Sequence, residues 1–288
     1  MKKILVSLLA LLSVTWWVTP SVAYREGHIM YSGMTVEEYN NFVPNLVSND
    51  EYIWCNYKID NPEYENIIGN FLEPEALIPF ISLSEMLMAL DAGKIDIIEL
   101  QQPVAEYFFK LKSNNEKYIP YVITKGVTYY LSMGFKENSK WFEPFNETIK
   151  AMTEDKTLLF LKAQYVLDAE ENPEPVKFEK FPGAETVKIA VTGDLPPIDY
   201  VAVDGTPAGF NTAMLAEIAK RLKINIEFVS INSGARAAAL ASERADGVFW
   251  FWYDKSTKTP RDVPTGVKLT EPYYSWDTFY YVGKKLHK

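Results

Sequence analysis

The amino-acid sequence is short of the residues on which disulfide frameworks, metal centres and nucleophilic active sites depend. Its 288 residues include one cysteine, Cys55, and two histidines, His28 and His287, which lie near the ends of the chain. A single cysteine cannot form an internal disulfide bond, so the hydrophobic core must stabilise the fold. The sequence has no HExxH helix, no cysteine pair and no phosphate-binding glycine loop. We therefore expect no metal site, no cofactor and no catalytic residues.

Positive charge is also scarce. The chain has 29 Lys and Arg against 38 Asp and Glu, which gives a net charge of -9. Nucleic acids bind to basic surfaces through their phosphates, so DNA and RNA are not expected as partners. The hydrophobic share of 48% is enough to close a core. The length allows one large domain or two lobes, and we expect two lobes of roughly 100 to 150 residues each.

The N-terminal segment has the pattern of an export signal. Lys2 and Lys3 precede an apolar run over residues 4–18, and small residues follow it. This pattern predicts a signal peptide over residues 1–23, cleaved after Ala23, and a soluble protein in the periplasm or another extracytoplasmic space. The rival interpretation is a retained membrane anchor, but the run is shorter than the roughly 20 residues that cross a bilayer.

The region up to residue 167 alternates between strand and helix patterns. Ser82 and Glu85 have the spacing of a capping box before a helix that ends at Gly93. An apolar strand at 95–100 and a helix at 103–110 follow. Residues 24–51 form a polar, aromatic-rich lead. Weaker patterns predict strands at 52–56 and 126–135 and helices at 142–152 and 157–166.

The C-terminal part is more regular and follows a proline-containing connector at 168–185. A helix to about residue 222 is expected to be capped by Asn211. Strands alternating with helices favour the α/β fold class with parallel strands. The predicted strands cover 187–192, 226–229, 247–252 and 277–282, and a second helix covers 236–242.

Two segments share an order of residue types, in which a helix turns directly into a buried strand. They are 89–96 and 239–246. Such turns occur in any α/β protein, but the pair also fits two lobes of similar build. Ligands bind at the carboxyl ends of strands in open α/β sheets, so facing lobes would direct Gln101 and an aromatic run toward one cleft. That run, which could stack on a planar ligand or attract a cation, contains Trp250, Trp252 and Tyr253.

Residues 186–282 resemble the first lobe of the bacterial extracellular solute-binding proteins of family 3, the polar amino-acid receptors of ABC importers. The resemblance rests on VKIAVTGDLPPIDY, DGTPAGFNTAMLAEIAKRL, SGARAAALASERADGV and TEPYYSWDTFYYV, in the family's order. Residues 52–110 resemble the second lobe, and residues 129–166 resemble the C-terminal return. The resemblance implies a two-lobed, type 2 periplasmic-binding-protein-like fold, in which each lobe is a sheet flanked by helices.

These parts occur in an unusual order. The family runs from first lobe to second lobe to return segment, whereas here the second lobe comes first. This order implies a circular permutant, which is physically undemanding where termini lie close together. The rival interpretation is an incomplete fragment of a tandem receptor. The expected domains are a signal peptide (1–23), a second-lobe-like domain (24–128) and a first-lobe-like domain (129–288) made of return helices (129–167), the connector (168–185) and the main α/β part (186–288).

The resemblance also implies candidate ligand-binding residues. Asp194 lies in a loop that lines the family's cleft and is expected to accept a hydrogen bond from an ammonium or hydroxyl group. The helix start at Ser233 and Gly234 offers free amides to a carboxylate, and Arg236 would add a charge-assisted bond. Arg261 is a second candidate for the carboxylate, at altered spacing. An exposed turn is the alternative for Asp194 and a solvated loop for Arg261.

Two departures from the family leave the ligand open. Gln101 replaces the acid that holds the ligand's ammonium group, and an amide cannot pair with a charge. Asp60 lies in the segment, residues 58–61, that replaces the second lobe's Gly-Thr turn. Asp60, Glu99 or Asp194 would have to supply the missing acid. The strands near Tyr130 and Thr278 are the candidate hinge.

The sequence therefore predicts a monomeric, exported protein that closes its lobes on a small polar solute, an amino acid or a derivative. The resemblance implies delivery to the membrane permease of an ABC importer. A dehydratase-like enzyme with cleft carboxylates as acid or base is one alternative. A ligand sensor that reports to a signalling partner is another.

Overall fold

A computed structural model describes residues 25–29, 76–80, 82–169, 175–232, 235–254, 263 and 265–285. The strands are β1 (Arg25–Ile29), β2 (Ala76–Phe80), β3 (Ile97–Gln101), β4 (Tyr118–Lys136), β5 (Thr186–Val191), β6 (Asp194–Leu195), β7 (Asp199–Val201), β8 (Pro207–Ala208), β9 (Asn225–Ser230), β10 (Gly247–Asp254), β11 (Val267–Leu269) and β12 (Tyr274–Lys284). The helices are α1 (Leu83–Asp91), α2 (Gln102–Phe108), α3 (Lys112–Lys117), α4 (Phe142–Glu154), α5 (Thr157–Lys162), α6 (Phe210–Leu222) and α7 (Arg236–Ala241), and a π-helical turn (Ala163–Leu167) continues α5.

Nine of the described strands form one sheet, in the order β2-β1-β3-β12-β4-β10-β5-β9 with β11 beside β4. The strands in each outer trio, β2-β1-β3 and β10-β5-β9, are parallel, whereas β4 and β12 are antiparallel to their neighbours. Strands β6, β7 and β8 form a separate small sheet. The expected α/β class, a central sheet with flanking helices, is confirmed.

Strands β4 and β12 connect the two ends of the sheet. We call β2-β1-β3 with α1 and α2 the β3 side, and β10-β5-β9 with α6 and α7 the β5 side. β12 pairs with β4 from Thr278 to Lys284 and from Tyr274 to Trp276, and the register shifts between Trp276 and Thr278. On one side of the shift, residues 279–283 of β12 pair with β3. On the other side, β12 pairs with residues 129–131 of β4, and these residues also pair with β10.

Local sequence accounts for α1 as expected. The Ser82 hydroxyl accepts the N–H of Glu85 at 3.2 Å, which is the first bond of a capping box. Leu83, Met86 and Leu90 recur at helical spacing and are buried in the core. The predicted strand-to-helix turn at Pro103 is also confirmed, because Pro103 lies in the first turn of α2.

The predicted cap of α6 is wrong. The helix begins at Phe210, its N-cap is Gly209, and Asn211 lies fully buried in the first turn. The N–H groups of Phe210 and Asn211 donate to the carbonyl oxygens of Pro197 and Ile198 at 3.0 and 2.8 Å. Because backbone carbonyls satisfy these donors, no side-chain cap is needed.

Other helix and strand boundaries differ from the predicted ones. The predicted helix at 157–166 is α-helical only to Lys162 and continues as the π-helical turn. The predicted strand at 126–135 extends back to Tyr118. Strands β1 and β2 were not predicted, and the predicted strand at 52–56 lies outside the described residues.

Glycine 209 gives a prediction about stability. Its φ is 95°, and a Cβ there would lie 2.5 Å from the Pro197 carbonyl oxygen. We expect Gly209→Ala to lower the free energy of unfolding by about 2 to 5 kcal/mol, since backbone strain and overpacking add. Gly205→Ala is the control, because φ is 84° there but nothing lies within 4 Å of the added Cβ, so about 1 to 2 kcal/mol is expected. Urea denaturation measures both variants. An equal loss of unfolding free energy in the two would contradict the close approach of the Pro197 carbonyl to Gly209.

Candidate functional site

A cleft with a volume of about 470 Å³ lies between the two sides of the sheet. It is bounded by the start of α1 on the β3 side and by the segments that follow β5 and β9 on the β5 side. This position agrees with the rule that ligands bind at the carboxyl ends of parallel strands. The residues that line it are Ser82, Glu85, Thr192, Asp194, Ser230, Ile231, Asn232, Ala235 and Arg244.

Asp194 bridges this cleft. Its Oδ2 accepts the backbone N–H of Leu83 at 3.0 Å, a bond between residues 111 positions apart. Leu83 is the first residue of α1, whose N–H groups lack intrahelical partners and whose dipole favours a negative charge. The carboxylate of the β5 side therefore holds the helix start of the β3 side.

The loop that carries Asp194 is fixed by a second aspartate. Asp199, which is 2% exposed, accepts both the N–H and the hydroxyl of Thr192 on its Oδ2, at 3.0 and 3.1 Å. These bonds tie the end of β5 to β7. The β6–β7 pairing, in which Asp194 lies opposite Tyr200, completes the support.

Burial raises the pKa of Asp194 above its ordinary value of 3.8, and the nearby charge of Asp199 acts in the same direction. The Leu83 N–H, the Arg236 charge and the Thr192 hydroxyl lower the pKa, but they do not cancel the effect of burial. The site thus contains a carboxylate whose charge is incompletely compensated. A cationic group of a ligand would relieve this cost.

A ring contact bridges the two sides at another point. Tyr107 of α2 and Tyr200 of β7 have ring centroids 6.4 Å apart. Burial, and then the neighbouring Tyr107, raise the pKa of Tyr200 to about 12. The Tyr200 phenol therefore stays neutral at physiological pH.

The structure places only some of the predicted site residues in this cleft. Asp194 lines it, whereas Arg236 is 1% exposed at the first position of α7 and acts on Asp194 through its charge. Gln101 is buried at the end of β3. The backbone of β10 contains Trp250, Trp252 and Tyr253, but their side chains lie outside the described parts, as do the whole residues Asp60, Ser233, Gly234 and Arg261.

Most of the lining was not predicted as site residues, and three of the residues carry polar or charged groups that the sequence had shown in another context. Ser82 and Glu85 were recognised only as a capping box, although a helix start directly after a strand is itself a signal for a cleft position. Arg244 appeared only in the internal pair, and here its guanidinium donates to the Ser230 carbonyl at 3.1 Å.

The described residues contain neither a metal-binding cluster nor a membrane-spanning helix. No group of three or more His, Cys, Asp and Glu side chains in the described ranges could hold a metal ion. No helix within those ranges is both long and apolar enough to cross a membrane.

The raised pKa of Asp194 predicts a pH dependence of stability. A carboxyl group whose pKa is higher in the folded state contributes stability below the unfolded value, and this contribution is lost as the pH rises through the folded value. Asp194→Asn stays neutral. We therefore expect it to be more stable than the parent protein at pH 7, and the difference to shrink as the pH falls toward the ordinary value of 3.8.

Asp155 provides a control of opposite sign. Hydrogen bonds from Thr157, followed by Arg221, lower the pKa of Asp155 to about 2. The ionised Asp155 therefore contributes to folding stability above pH 3.8, and this contribution is lost as the pH falls through about 2. Asp155→Asn should accordingly be less stable than the parent protein at neutral pH. Urea denaturation across this pH range tests both variants. A stability advantage of Asp194→Asn that grew on acidification would contradict the account.

Comparison with solved structures finds distant likenesses. The zinc-bound ligand-binding component of an ABC-type import system from Staphylococcus aureus is 12% identical with a TM-score of 0.39, and the match covers 91% of this chain and 66% of that one. The oxidised form of OxyR is 12% identical with a TM-score of 0.40, over 91% of this chain and 86% of that one. These likenesses do not distinguish a transport protein from a regulator.

Comparison of the sequence itself is more informative. No curated protein sequence matches the chain. Residues 187–285, which include Asp194, Arg236 and most of the cleft lining, match the sequence model of one family. The resemblance predicted from the motifs is thus confirmed, and this part of the chain matches the bacterial extracellular solute-binding proteins, family 3.

Proposed function

We propose that the protein is a binding protein, not an enzyme, that takes up a small polar solute in the cleft between α1 and the ends of β5 and β9. The observation that carries this proposal is Asp194, a carboxylate that lines the cleft and lies within the segment that matches the family. The cleft volume of about 470 Å³ is within the range of small-molecule sites, about 300 to 1,000 Å³.

The polar groups of the cleft favour an amino acid or a derivative. Asp194 is a partner for an ammonium group, and Glu85 adds a second carboxylate nearby. Arg244, which lines the cleft, offers a positive charge to a carboxylate. Ser233, Gly234, Arg236 and Arg261 stay candidate carboxylate partners.

Function would follow from closure about β4 and β12. A solute that touches both sides of the cleft stabilises the closed form by its differential affinity for that form. The register shift between Trp276 and Thr278 supports a hinge at this place, because it interrupts the ladder where the two sides meet. This agrees with the hinge expected near Tyr130 and Thr278.

The chain order supports a circular permutant. The β3 side is formed by residues before 109, and the β5 side by residues after 185, as expected if the second lobe precedes the first. Residues 175–180 of the connector contain no helix or strand. From the family resemblance, we also propose the domain boundaries given above, a monomeric state and delivery to an ABC importer. From the N-terminal pattern, we propose a cleavable signal peptide over 1–23 and an extracytoplasmic or periplasmic location.

A thermal-shift screen of residues 24–288 tests the binding function. Amino acids, their derivatives and small carboxylic acids are added singly, and the unfolding midpoint is measured. A solute at about 100 times its dissociation constant should add roughly 2.7 kcal/mol to the free energy of unfolding. One solute class is expected to raise the midpoint.

Isosteric variants locate the binding. Asp194→Asn is expected to weaken that solute by about tenfold or more, because it removes a charge-assisted bond. Glu147→Gln is the matched control, since Glu147 is an exposed carboxylate on α4 outside the cleft. A cooperative melt that no solute shifts would contradict the proposed function. Equal affinities of Asp194→Asn and the parent protein for the solute would show that the solute does not bind in this cleft.

A further inference from the structure

Two buried polar atoms near the hinge are unsatisfied within the described structure. Gln101 is 7% exposed and Trp276 is 5% exposed. The Gln101 Oε1, an acceptor, and the Trp276 Nε1, a donor, make no hydrogen bond to the described residues. Buried polar atoms are nearly always paired, so each such atom requires a physical explanation.

Both residues are neighbours of Phe279. Gln101 lies directly opposite Phe279 in the β3–β12 ladder, and opposed residues lie on the same face of a sheet. The ring centroids of Phe279 and Trp276 are 6.1 Å apart, and Tyr129 completes the group at 5.0 Å from Phe279 and 5.8 Å from Trp276. One acceptor and one donor therefore lie beside a single aromatic cluster.

This cluster lies across the register shift. Gln101 and Phe279 belong to the stretch where β12 pairs with β3, whereas Tyr129 and Trp276 pair with each other on the other side of the shift. Opening or closing of the two sides would therefore change the separation of these groups.

The position of Gln101 relates the cluster to the cleft. Gln101 ends β3, and the start of α1 follows β2, so both lie at the carboxyl edge of the parallel trio β2-β1-β3. Neighbouring strands are about 4.8 Å apart, which places Gln101 on the order of 10 Å from the start of α1. An extended solute the size of an amino acid is long enough to approach both.

We propose that Gln101 and Trp276 bind the uncharged end of the solute, a hydroxyl or a primary carboxamide. Such a group can donate to the Gln101 Oε1 and accept from the Trp276 Nε1 at once. An ammonium group cannot accept a hydrogen bond from the Trp276 N–H. A carboxylate cannot donate one to the Gln101 Oε1, and a methyl group can do neither. This inference rests on the proposed function and adds the chemical class of the solute.

Five amino acids that share one end and differ at the other test the proposal. They are L-glutamine, L-homoserine, L-ornithine, L-glutamate and L-norvaline, each added to the protein in thermal-shift and calorimetric titrations. L-Glutamine or L-homoserine is expected to bind at least about tenfold more tightly than the other three. Trp276→Phe, which keeps a ring and removes the N–H, should abolish that preference.

Variants at Gln101 give a readout that needs no ligand. Gln101→Leu removes an unpaired buried acceptor, and the side chain makes no capping bond to α2. It should raise the unfolding midpoint of the ligand-free protein by roughly 2 to 6 °C while abolishing the preference. Gln102→Leu is the matched control. Gln102 donates to Glu106 at 2.8 Å, so its replacement should not raise the midpoint or change the preference.

The outcomes separate this inference from the proposed function. Equal affinity of the parent protein for all five probes, or no response to any of them while another solute binds, would overturn the inference and leave the binding function standing. A lower midpoint for Gln101→Leu would also overturn it, because the amide would then have a structural partner. If neither these probes nor the wider screen shifts the midpoint, the binding function itself fails.

Discussion

The antiparallel pairing of β4 with β12 is the interaction on which the described architecture depends. Each of the two parallel trios attaches to one of these strands, β3 to β12 and β10 to β4, so the sides of the sheet are joined through this pair. The pair is packed by buried rings, among them Tyr129, Trp276 and Phe279, and its ladder is interrupted where the two sides meet. The β10–β4 ladder is also interrupted, between Val248 and Phe251. We expect a continuous sheet with these interruptions to resist separation of the sides but to permit a rotation between them, which is the motion of the proposed closure.

The charge of Asp194 connects that architecture to binding. The carboxylate reaches across the cleft to the Leu83 N–H, and it is partly buried near Asp199 and Arg236. Burial raises the cost of its charge by more than these partners recover. Such a group holds the sides together weakly in the absence of a solute and gains most from a solute that brings a positive charge. In the proposed function, the same residue would account for an approach of the two sides and for a preference among solutes.

Much of this arrangement could be predicted from sequence, because its signals are local. The capping box at Ser82 and the alternation after residue 186 predicted α1 and the parallel strands. Asp194, a candidate site residue, lines the cleft. The cap of α6 was mispredicted because Gly209 allows backbone carbonyls, distant from any side-chain pattern, to satisfy the helix start. Strand β1 was missed because five residues in a polar lead carry no periodicity, although they pair with both β2 and β3. Long-range contacts such as Asp194 with Leu83 leave no mark on local sequence at all.

The central claim is that the two sides of the sheet close on a solute with Asp194 between them. Its most direct test is a distance distribution from double electron–electron resonance between spin labels at Met88→Cys and Val203→Cys, with Cys55→Ser to remove the native thiol. Met88 lies on α1 and Val203 follows β7, and their exposed fractions of 63% and 99% make both suitable for labelling. The account predicts that a bound solute narrows the distribution to one short distance and that Asp194→Ala without solute adds a longer one. Identical distributions in all three states would contradict it.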